Sequence, residues 1–500
     1  MRPIRNLLLL TLVSSTSLLA EEPAAPKAPE AAPPKPEAKS KTVAPVVRRA
    51  DVTIDGRKIP YEVIAGKLRI TMDKEAADIF HVTYRRNDPI DPKRPVMFAF
   101  NGGPGSSAVW LHVGMLGPKI VDLPGDGTSA PKPPVLLKNN PYSILDVCDL
   151  VFIDPVSTGY SRAADGKKPD AFHGVNGDIE AVAEFIQRWI TENNRWASPK
   201  YLLGESYGGI RAAGVADSLQ SRHGMPLNGV VLLSSLLDYG TLGGDSGHDL
   251  EYLVFLPTYT SVAHHHGRLK GDRDALVEAS RRFAMGPYAQ ALMEGTALTD
   301  DVERCKAIAA QLETHTAIPA AVWIKNHLRV DSSLFRAELL RDQSKTLGRF
   351  DGRVAWGADD SSSTYPQYDP SYSLAFGAFS TALKDYLGRE IGYKEDEAYE
   401  VMTSKVHPWK WDSQNSMVNL ADRLAEAMRD NPHLKVLVMT GHADLATPGD
   451  AIAHSLSHLH NLPAELRKNI RTVQYEAGHM FYLNPPDLAK SRKDLLDWLK

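Results

Sequence analysis

The stretch from Lys200 to Leu219 constrains the fold more than any other part of the sequence. It begins with the apolar run Tyr201 to Leu203, which predicts a strand, and ends with the small-residue run Ile210 to Leu219, which predicts a helix. Between them stands Gly204-Glu-Ser-Tyr-Gly208. A serine on a sharp strand-to-helix turn lies at the carboxyl edge of a sheet, and flanking glycines are needed because larger side chains would clash there. The stretch therefore indicates Ser206 as a candidate nucleophile, with a buried turn serine as the alternative.

The composition and charge of the chain argue against several classes of partner and site. The chain is 43% hydrophobic and 24% charged, with a formal net charge of -4 over 500 residues. This balance gives no case for a nucleic-acid or anionic-membrane partner. Two cysteines, Cys148 and Cys305, are too few for a disulfide framework or a cysteine-based metal site. Whether these two pair is left open by the sequence.

The N-terminal segment has the pattern of a targeting sequence. Arg2 and Arg5 precede the apolar run Leu7 to Val13, and a small-residue patch ends at Ala20. This order is typical of a secretory signal peptide, and the apolar core is too short to span a bilayer. We therefore expect a signal peptide over residues 1–20, with its cleavage point open, and export to the periplasm or the extracellular space. No membrane anchor is expected after cleavage.

Residues 21–45 are rich in Pro, Ala, Lys and Glu and lack apolar periodicity, which predicts a disordered linker. Alternating segments between Asp51 and Arg86 then predict antiparallel hairpins. The run Pro95 to Phe100 is apolar on both faces, as in a parallel sheet covered by helices. Buried strands and amphipathic helices continue to alternate as far as Leu233, which favours an α/β fold.

A glycine-rich loop, Asn101-Gly-Gly-Pro-Gly-Ser-Ser107, follows the first of these buried strands. It lacks Gly-Lys-Ser/Thr and is therefore not a nucleotide phosphate loop. Its glycines would let backbone N–H groups approach a developing oxyanion closely. A tight turn without chemistry is the alternative.

Two further candidates follow the last two predicted strands. Asp444 comes after the strand Leu434 to Thr440, and His479 comes after the strand Arg471 to Tyr475. A histidine can take the serine proton and return it to the leaving group, while an aspartate holds the imidazole tautomer. The other histidine clusters, His264 to His266 and the pair His454 and His458, lack accompanying acidic or cysteine ligands in a known spacing. No metal site and no cofactor are predicted.

Three motifs together resemble the serine carboxypeptidase family. They are Asn101-Gly-Gly-Pro-Gly-Ser-Ser, Asp154-Pro-Val-Ser-Thr-Gly-Tyr-Ser and Gly204-Glu-Ser-Tyr-Gly-Gly, and the resemblance to a bacterial-type exported member extends roughly from Asp51 to the C-terminus. It implies an α/β-hydrolase fold, with a mostly parallel central sheet, antiparallel N-terminal hairpins and an inserted mainly helical cap. The hydrolase core would comprise residues 46–237 and 368–500, and the cap residues 238–367. The chain order Ser206, Asp444, His479 is that of the α/β-hydrolase triad.

The resemblance also implies roles for individual residues. Asn101 and Gly102 correspond to residues that bind the terminal carboxylate of the substrate. The N–H groups of Gly103 and Tyr207 correspond to the oxyanion hole. Glu205 corresponds to a further carboxylate contact, and it must be protonated to donate a hydrogen bond to a substrate carboxylate, which favours activity at acidic pH.

Two positions depart from the family pattern. Met115 stands where many members have a second glutamate that pairs with the first, so the acidic optimum and strict C-terminal specificity are left open. Ser106 stands where a cysteine is common, so the disulfides usual at that place in the family are not expected.

The resemblance implies a serine-type carboxypeptidase, a peptide hydrolase that removes C-terminal residues through an acyl-enzyme intermediate. Its partners would be peptides with a free C-terminus. An esterase or acyltransferase using the same three residues is one alternative, and a non-catalytic peptide-binding protein on the same scaffold is another. Side-chain preference, natural substrate and oligomeric state are not fixed by the sequence.

Overall fold

A computed structural model describes residues 43–86, 91–243 and 246–500. The predicted signal peptide and the predicted linker as far as residue 42 lie outside the described residues. The first strand begins at Val46. None of the helices in the described ranges has both the length and the apolar character needed to cross a bilayer.

The fold alternates strands and helices around one large sheet. The strands are β1 (Val46–Ile54), β2 (Arg57–Met72), β3 (Glu75–Arg86), β4 (Val96–Phe100), β5 (Lys119–Val121), β6 (Leu137–Asn139), β7 (Asp149–Ile153), β8 (Arg162–Ala163), β9 (Lys200–Glu205), β10 (Gly229–Leu233), β11 (Lys345–Leu347), β12 (Ala355–Gly357), β13 (Lys435–Gly441) and β14 (Ile470–Tyr475). The helices are α1 (Val109–Leu111), α2 (Val175–Glu192), α3 (Gly208–Ser221), α4 (Leu250–His265), α5 (Arg273–Phe283), α6 (Ala289–Met293), α7 (Thr296–Asp300), α8 (Val302–Thr316), α9 (Ala320–Lys325), α10 (Ser332–Glu338), α11 (Pro370–Asp385), α12 (Ala421–Asp430), α13 (Gly449–Ser457), α14 (Ala464–Arg467) and α15 (Pro485–Leu499).

The central sheet of the described chain has ten strands in the order β1-β2-β3-β7-β4-β9-β10-β13-β14, with β8 paired to β3. The first three strands are antiparallel to one another, and β3 is antiparallel to β7. From β7 to β14 the neighbours run parallel. This arrangement confirms the predicted α/β class, with a mostly parallel sheet and antiparallel N-terminal strands.

Helices cover both faces of the sheet, which is why the central strand β4 is apolar along its whole length. Every residue of β4 is buried. Met97 and Ala99 belong to the apolar cluster on one face, which includes residues of α11 and α15. Val96, Phe98 and Phe100 belong to the cluster on the other face, which includes residues of α2, α3 and α12. Successive side chains of a strand point to opposite faces, so β4, whose two faces are both covered, has no position that favours a polar residue.

The segment between β10 and α11 forms a third apolar cluster built from α4 to α10. Tyr259 of α4 stacks on Phe335 of α10, with ring centroids 4.1 Å apart. The cluster also includes Ala443 and Leu445, which flank Asp444 after β13. The small sheet of β11 and β12 in this segment was not predicted, because its strands have only three residues each. The limits of the cap and of the two core segments stay predictions.

The two cysteines are both buried free thiols, so Cys148 and Cys305 do not form a disulfide bond.

Candidate active site

Ser206 stands on the turn between β9 and α3 with φ of 63°, in the left-handed region that side chains other than glycine rarely adopt. Its N–H donates to the carbonyl of Leu233 at the end of β10, over 3.1 Å. A Cβ atom at Gly204 would lie 2.0 Å from the carbonyl oxygen of Gly208, so only glycine allows the turn to close. The sheet and the helix thereby hold the serine hydroxyl at the carboxyl edge of the strands.

His479 and Asp444 form a buried pair. His479 Nδ1 lies 2.9 Å from Asp444 Oδ2, and the two side chains are 4% and 0% exposed. Asp444 Oδ1 accepts the N–H groups of Ala446 and Thr447 over 2.8 and 2.9 Å. Burial opposes protonation of the imidazole, but the adjacent Asp444 carboxylate outweighs it and raises the pKa of His479 above its ordinary value. The pair is therefore arranged to accept a proton on the imidazole.

The Thr447 hydroxyl contacts both members of this pair. Its Oγ1 lies 2.9 Å from Asp444 Oδ2 and 3.0 Å from His479 Nδ1. It also lies 2.7 Å from the carbonyl oxygen of Ser234, next to the end of β10. Thr447 thus connects the His479–Asp444 pair to the end of β10, next to the turn that carries Ser206.

Ser206 and His479 line one cavity of about 160 Å³. Within the described residues, no hydrogen bond joins the Ser206 hydroxyl to His479, and in unliganded enzymes such contacts often tighten only when substrate binds. The predicted residues Asn101, Gly102, Gly103 and Glu205 line the same cavity. It is completed by Pro104, Ser106, Trp110, Arg349, Phe350, Met402 and Met480.

The glycine-rich loop packs directly against the turn that carries Ser206. A Cβ atom at Gly102 would lie 2.5 Å from the backbone nitrogen of Tyr207, so glycine is required for this approach. Gly103 has φ of 105°. In the described part of the chain, neither the Gly103 N–H nor the Tyr207 N–H donates to a protein acceptor. Two backbone donors near Ser206 are thus available to a ligand.

A buried ion pair between two helices holds the start of the glycine-rich loop in position. Arg211 of α3 lies 2.7 Å from Asp178 of α2, and the side chains are 1% and 4% exposed. The Arg211 guanidinium also donates to the carbonyl oxygen of Asn101. Two helices thereby set the position of the residue that begins the glycine-rich loop.

Glu205 is a buried carboxyl group whose partner is a phenol. The Tyr482 hydroxyl donates to Glu205 Oε2 over 2.9 Å. Burial raises the pKa of Glu205 to about 7, although this phenol and the positive form of His479 act in the opposite direction. Met115 is buried on a π-helical turn, where a Cβ on the adjacent Gly114 would meet the Tyr482 ring. The position that often carries a second glutamate in the family is thus apolar here.

Phe350 contacts the candidate base from the loop between β11 and β12. Its ring lies 5.2 Å from that of His479 at an interplanar angle of 23°. Its carbonyl oxygen accepts the His479 N–H over 2.5 Å. The segment between β10 and α11 therefore supplies part of the site wall.

The structure thus brings Ser206, His479, Glu205 and the glycine-rich loop to one cavity, with Asp444 behind the imidazole. Sequence reasoning missed Thr447, Tyr482, Arg211 and Phe350. Thr447 and Tyr482 each stand three residues after a predicted site residue, which is the signal that could have drawn attention to them. Arg211 and Phe350 carry no such signal.

Comparisons with known proteins identify the family and the fold. A family model described as serine carboxypeptidase matches residues 56–481. "Serine carboxypeptidase-like 20" of Arabidopsis thaliana is 30% identical over 155 residues, which cover 30% of this chain and 29% of that protein. "Serine carboxypeptidase 1" of Hordeum vulgare is 27% identical over 157 residues, with coverage of 30% and 29%. The chain thus aligns with less than a third of the length of these curated relatives.

A solved structure shows the same fold. It is a prohormone-processing carboxypeptidase from Saccharomyces cerevisiae, which covers 88% of this chain and 91% of its own with a TM-score of 0.56 at 15% sequence identity. The family match spans most of the sequence, including the turn that carries Ser206 and the residues around His479. The chain therefore belongs to the serine carboxypeptidase family.

Proposed function

We propose that this protein is a serine-type carboxypeptidase, which hydrolyses the last peptide bond of a peptide through an acyl-enzyme intermediate. The observation that carries the proposal is the meeting of Ser206 and His479 in one cavity, with Asp444 bonded to the far side of the imidazole. A serine hydroxyl becomes a useful nucleophile only beside such a base.

In the proposed mechanism, Ser206 Oγ attacks the scissile carbonyl and passes its proton to His479. The two free N–H groups of Gly103 and Tyr207 stabilise the resulting oxyanion, and such donors contribute about 3 kcal/mol each. The C–N bond then breaks, and His479 returns the proton to the departing amine. Water repeats the sequence on the acyl-serine, and Asp444 offsets the imidazolium charge in both halves.

Recognition of the free C-terminus is assigned to Asn101, Gly102 and Glu205. A carboxylate in a dry site is repelled by another carboxylate, but it accepts a hydrogen bond from a protonated one. The raised pKa of Glu205 keeps this group neutral below about pH 7. It then acts as a donor toward the substrate.

The apolar Met115 favours a second candidate, an esterase or acyltransferase that uses the same three residues. Without the second glutamate, the site has one acidic donor for a free carboxylate in place of two. An ester substrate requires none.

We also propose that residues 1–20 direct export and that the segment 238–367 acts as a cap over the cavity. Export is tested by the N-terminal mass of the protein recovered from the periplasm or medium. A mass that includes residue 1 would contradict cleavage.

The function is tested with three peptides of one sequence, ending in a free acid, an amide and a methyl ester. A carboxypeptidase releases the last residue of the free acid and prefers it to the amide, and Ser206→Ala removes this activity. The matched control Ser221→Ala alters an exposed serine at the end of α3 and is expected to retain it. Rapid ester cleavage with no preference for the free acid supports the second candidate.

A further inference from the structure

Arg349 is a cavity residue with no role in the mechanism above. It lies between β11 and β12, and its exposed side chain lines the same cavity as Ser206 and His479. It is the only lysine or arginine among the described residues that line this cavity. A permanent positive charge therefore stands where the substrate must bind.

The loop that carries Arg349 is held in place by its backbone. The Arg349 N–H donates to Asp369 Oδ1 over 3.0 Å, and the next N–H, of Phe350, donates to Ser371 Oγ over 3.0 Å. The Phe350 carbonyl in turn accepts the N–H of His479. Arg349 is thus placed relative to the imidazole by a short chain of hydrogen bonds.

The guanidinium of Arg349 has no anionic partner. Among the described residues, no Asp or Glu carboxylate lies within 4.0 Å of it, and it lies over the Phe350 ring, with Cζ 5.6 Å from the ring centroid. The nearby carboxylates form ion pairs with other arginines. Asp351 pairs with Arg353 at 2.7 Å, and Asp369 lies 4.0 Å from Arg336. A fixed loop therefore presents an unpaired cation to the cavity.

The ionisable groups that share the cavity with Arg349 are His479 and Glu205. The positive charge of Arg349 acts to lower the pKa of His479, so the two groups interact electrostatically. Neither group supplies a standing negative charge to Arg349 at acidic pH, because burial keeps the Glu205 carboxyl protonated there. The anion that would complete the site has to come from the ligand.

We propose that Arg349 binds a carboxylate of the substrate and is a specificity-determining residue of this site. A guanidinium matches a carboxylate with two parallel N–H···O bonds. Two sources have this chemistry: the C-terminal carboxylate of the peptide, and an Asp or Glu side chain beside the scissile bond. The inference rests on the proposed function for its peptide substrate.

The test compares Arg349→Gln and Arg349→Lys with the wild type on matched substrates. One pair is an N-blocked dipeptide as free acid and as amide. Two further pairs carry Glu or Gln on one side or the other of the scissile bond. The control Arg282→Gln alters an arginine of α5 whose side chain is 69% exposed and lies outside the cavity.

Arg349→Gln is expected to lower kcat/KM roughly 10-fold to 100-fold for one carboxylate-bearing substrate relative to its neutral counterpart, mainly through KM. Arg349→Lys keeps the positive charge but lacks the two parallel N–H donors of a guanidinium. Its kcat/KM ratio is expected to lie between those of the wild type and Arg349→Gln. Loss confined to the free acid assigns the C-terminal carboxylate, and loss confined to a Glu substrate assigns a side chain. Equal loss on charged and neutral substrates, or no loss, overturns the proposal.

The test distinguishes failure of the Arg349 proposal from failure of the proposed carboxypeptidase function. If no peptide is cleaved but a neutral ester is turned over with dependence on Ser206, carboxypeptidase activity is refuted. Arg349 is then assayed on two esters whose acyl groups differ by one carboxylate, with the same selectivity expected. Because the Arg349 side chain is exposed, its variants should keep the wild-type unfolding midpoint in urea.

Discussion

Replacing Glu205 by glutamine is expected to remove a pH dependence from both the stability and the substrate recognition of this protein. Burial raises the pKa of Glu205 to about 7 from an ordinary 4.5. The native state therefore holds this proton over a range in which the unfolded chain releases it. Glutamine keeps the shape and the neutral charge of the protonated acid but does not titrate.

The sign and size follow from proton linkage. A group whose pKa is raised on folding contributes stability that is complete below the unfolded value, near pH 4.5, and is lost as the pH rises through about 7. Each tenfold change in proton affinity corresponds to about 1.36 kcal/mol, so Glu205 contributes about 3 kcal/mol at low pH. The Glu205→Gln variant should lack this loss between pH 4.5 and 8, the interval that brackets both values.

The assay is urea unfolding of wild type and variant across that interval. The pKa of His479 is also raised, so His479 likewise stabilises the fold at low pH and loses that contribution as the pH rises through its folded value. Both proteins retain His479, but the Glu205 charge helps to raise its pKa, so the difference between them reports Glu205 together with its coupling to His479. Glu251 of α4, whose pKa burial also raises to about 7, is the matched control. Glu251→Gln should flatten the stability profile without altering substrate recognition.

Activity provides an independent readout. In the proposed mechanism, free-acid peptides require a neutral Glu205 and a neutral His479, so kcat/KM should pass through a maximum whose apparent pKa values belong to the coupled pair. A neutral ester should show only the rising side of this profile. Glu205→Gln should lose the falling side for free acids. The reasoning is refuted if the variant keeps the wild-type slope of stability and the wild-type fall in kcat/KM above pH 7.

Three further substitutions probe the site. Gly102→Ala places a methyl group 2.5 Å from the backbone nitrogen of Tyr207, so ester assays should show kcat roughly 100-fold lower, and urea unfolding should show a loss of about 1–3 kcal/mol from overpacking. Arg211→Met leaves Asp178 buried without its partner, and urea unfolding should show a loss of about 3–5 kcal/mol, partly restored when Asp178 is also made apolar. Tyr482→Phe removes a donor that stabilises ionised Glu205, so the falling side of the free-acid profile should move to higher pH; a move to lower pH contradicts this.

The parts of the fold and site that the sequence predicted are those with local signatures. The strand-to-helix turn at Ser206 is encoded by consecutive residues, and strands such as β4 are apolar along their whole length because helices cover both faces of the sheet. Asp444 and His479 follow the ends of neighbouring parallel strands, β13 and β14. The carboxyl ends of parallel strands meet at one edge of a sheet. The position of each candidate directly after a predicted strand was therefore enough to predict that they lie close together.

The parts that the sequence did not predict depend on contacts between distant residues. Tyr482 and its partner Glu205 are 277 positions apart, and Arg211 reaches a carbonyl 110 positions away. Phe350 and Arg349 lie between two three-residue strands that show no usable periodicity. No pattern in a single sequence distinguishes such residues from others of the same type on the surface or in the core.

The position of Met115 illustrates what the structure adds. From the sequence, the missing glutamate indicates only that a paired acid is absent. In the structure, Glu205 is instead bonded to the Tyr482 phenol, which lowers the pKa of a carboxyl where a second carboxylate would raise it. Burial, with a smaller contribution from the Asp444 charge, therefore keeps Glu205 protonated, and only to about pH 7. Recognition of a free carboxylate through Glu205 is therefore expected to weaken above that pH, where Glu205 no longer has a proton to donate.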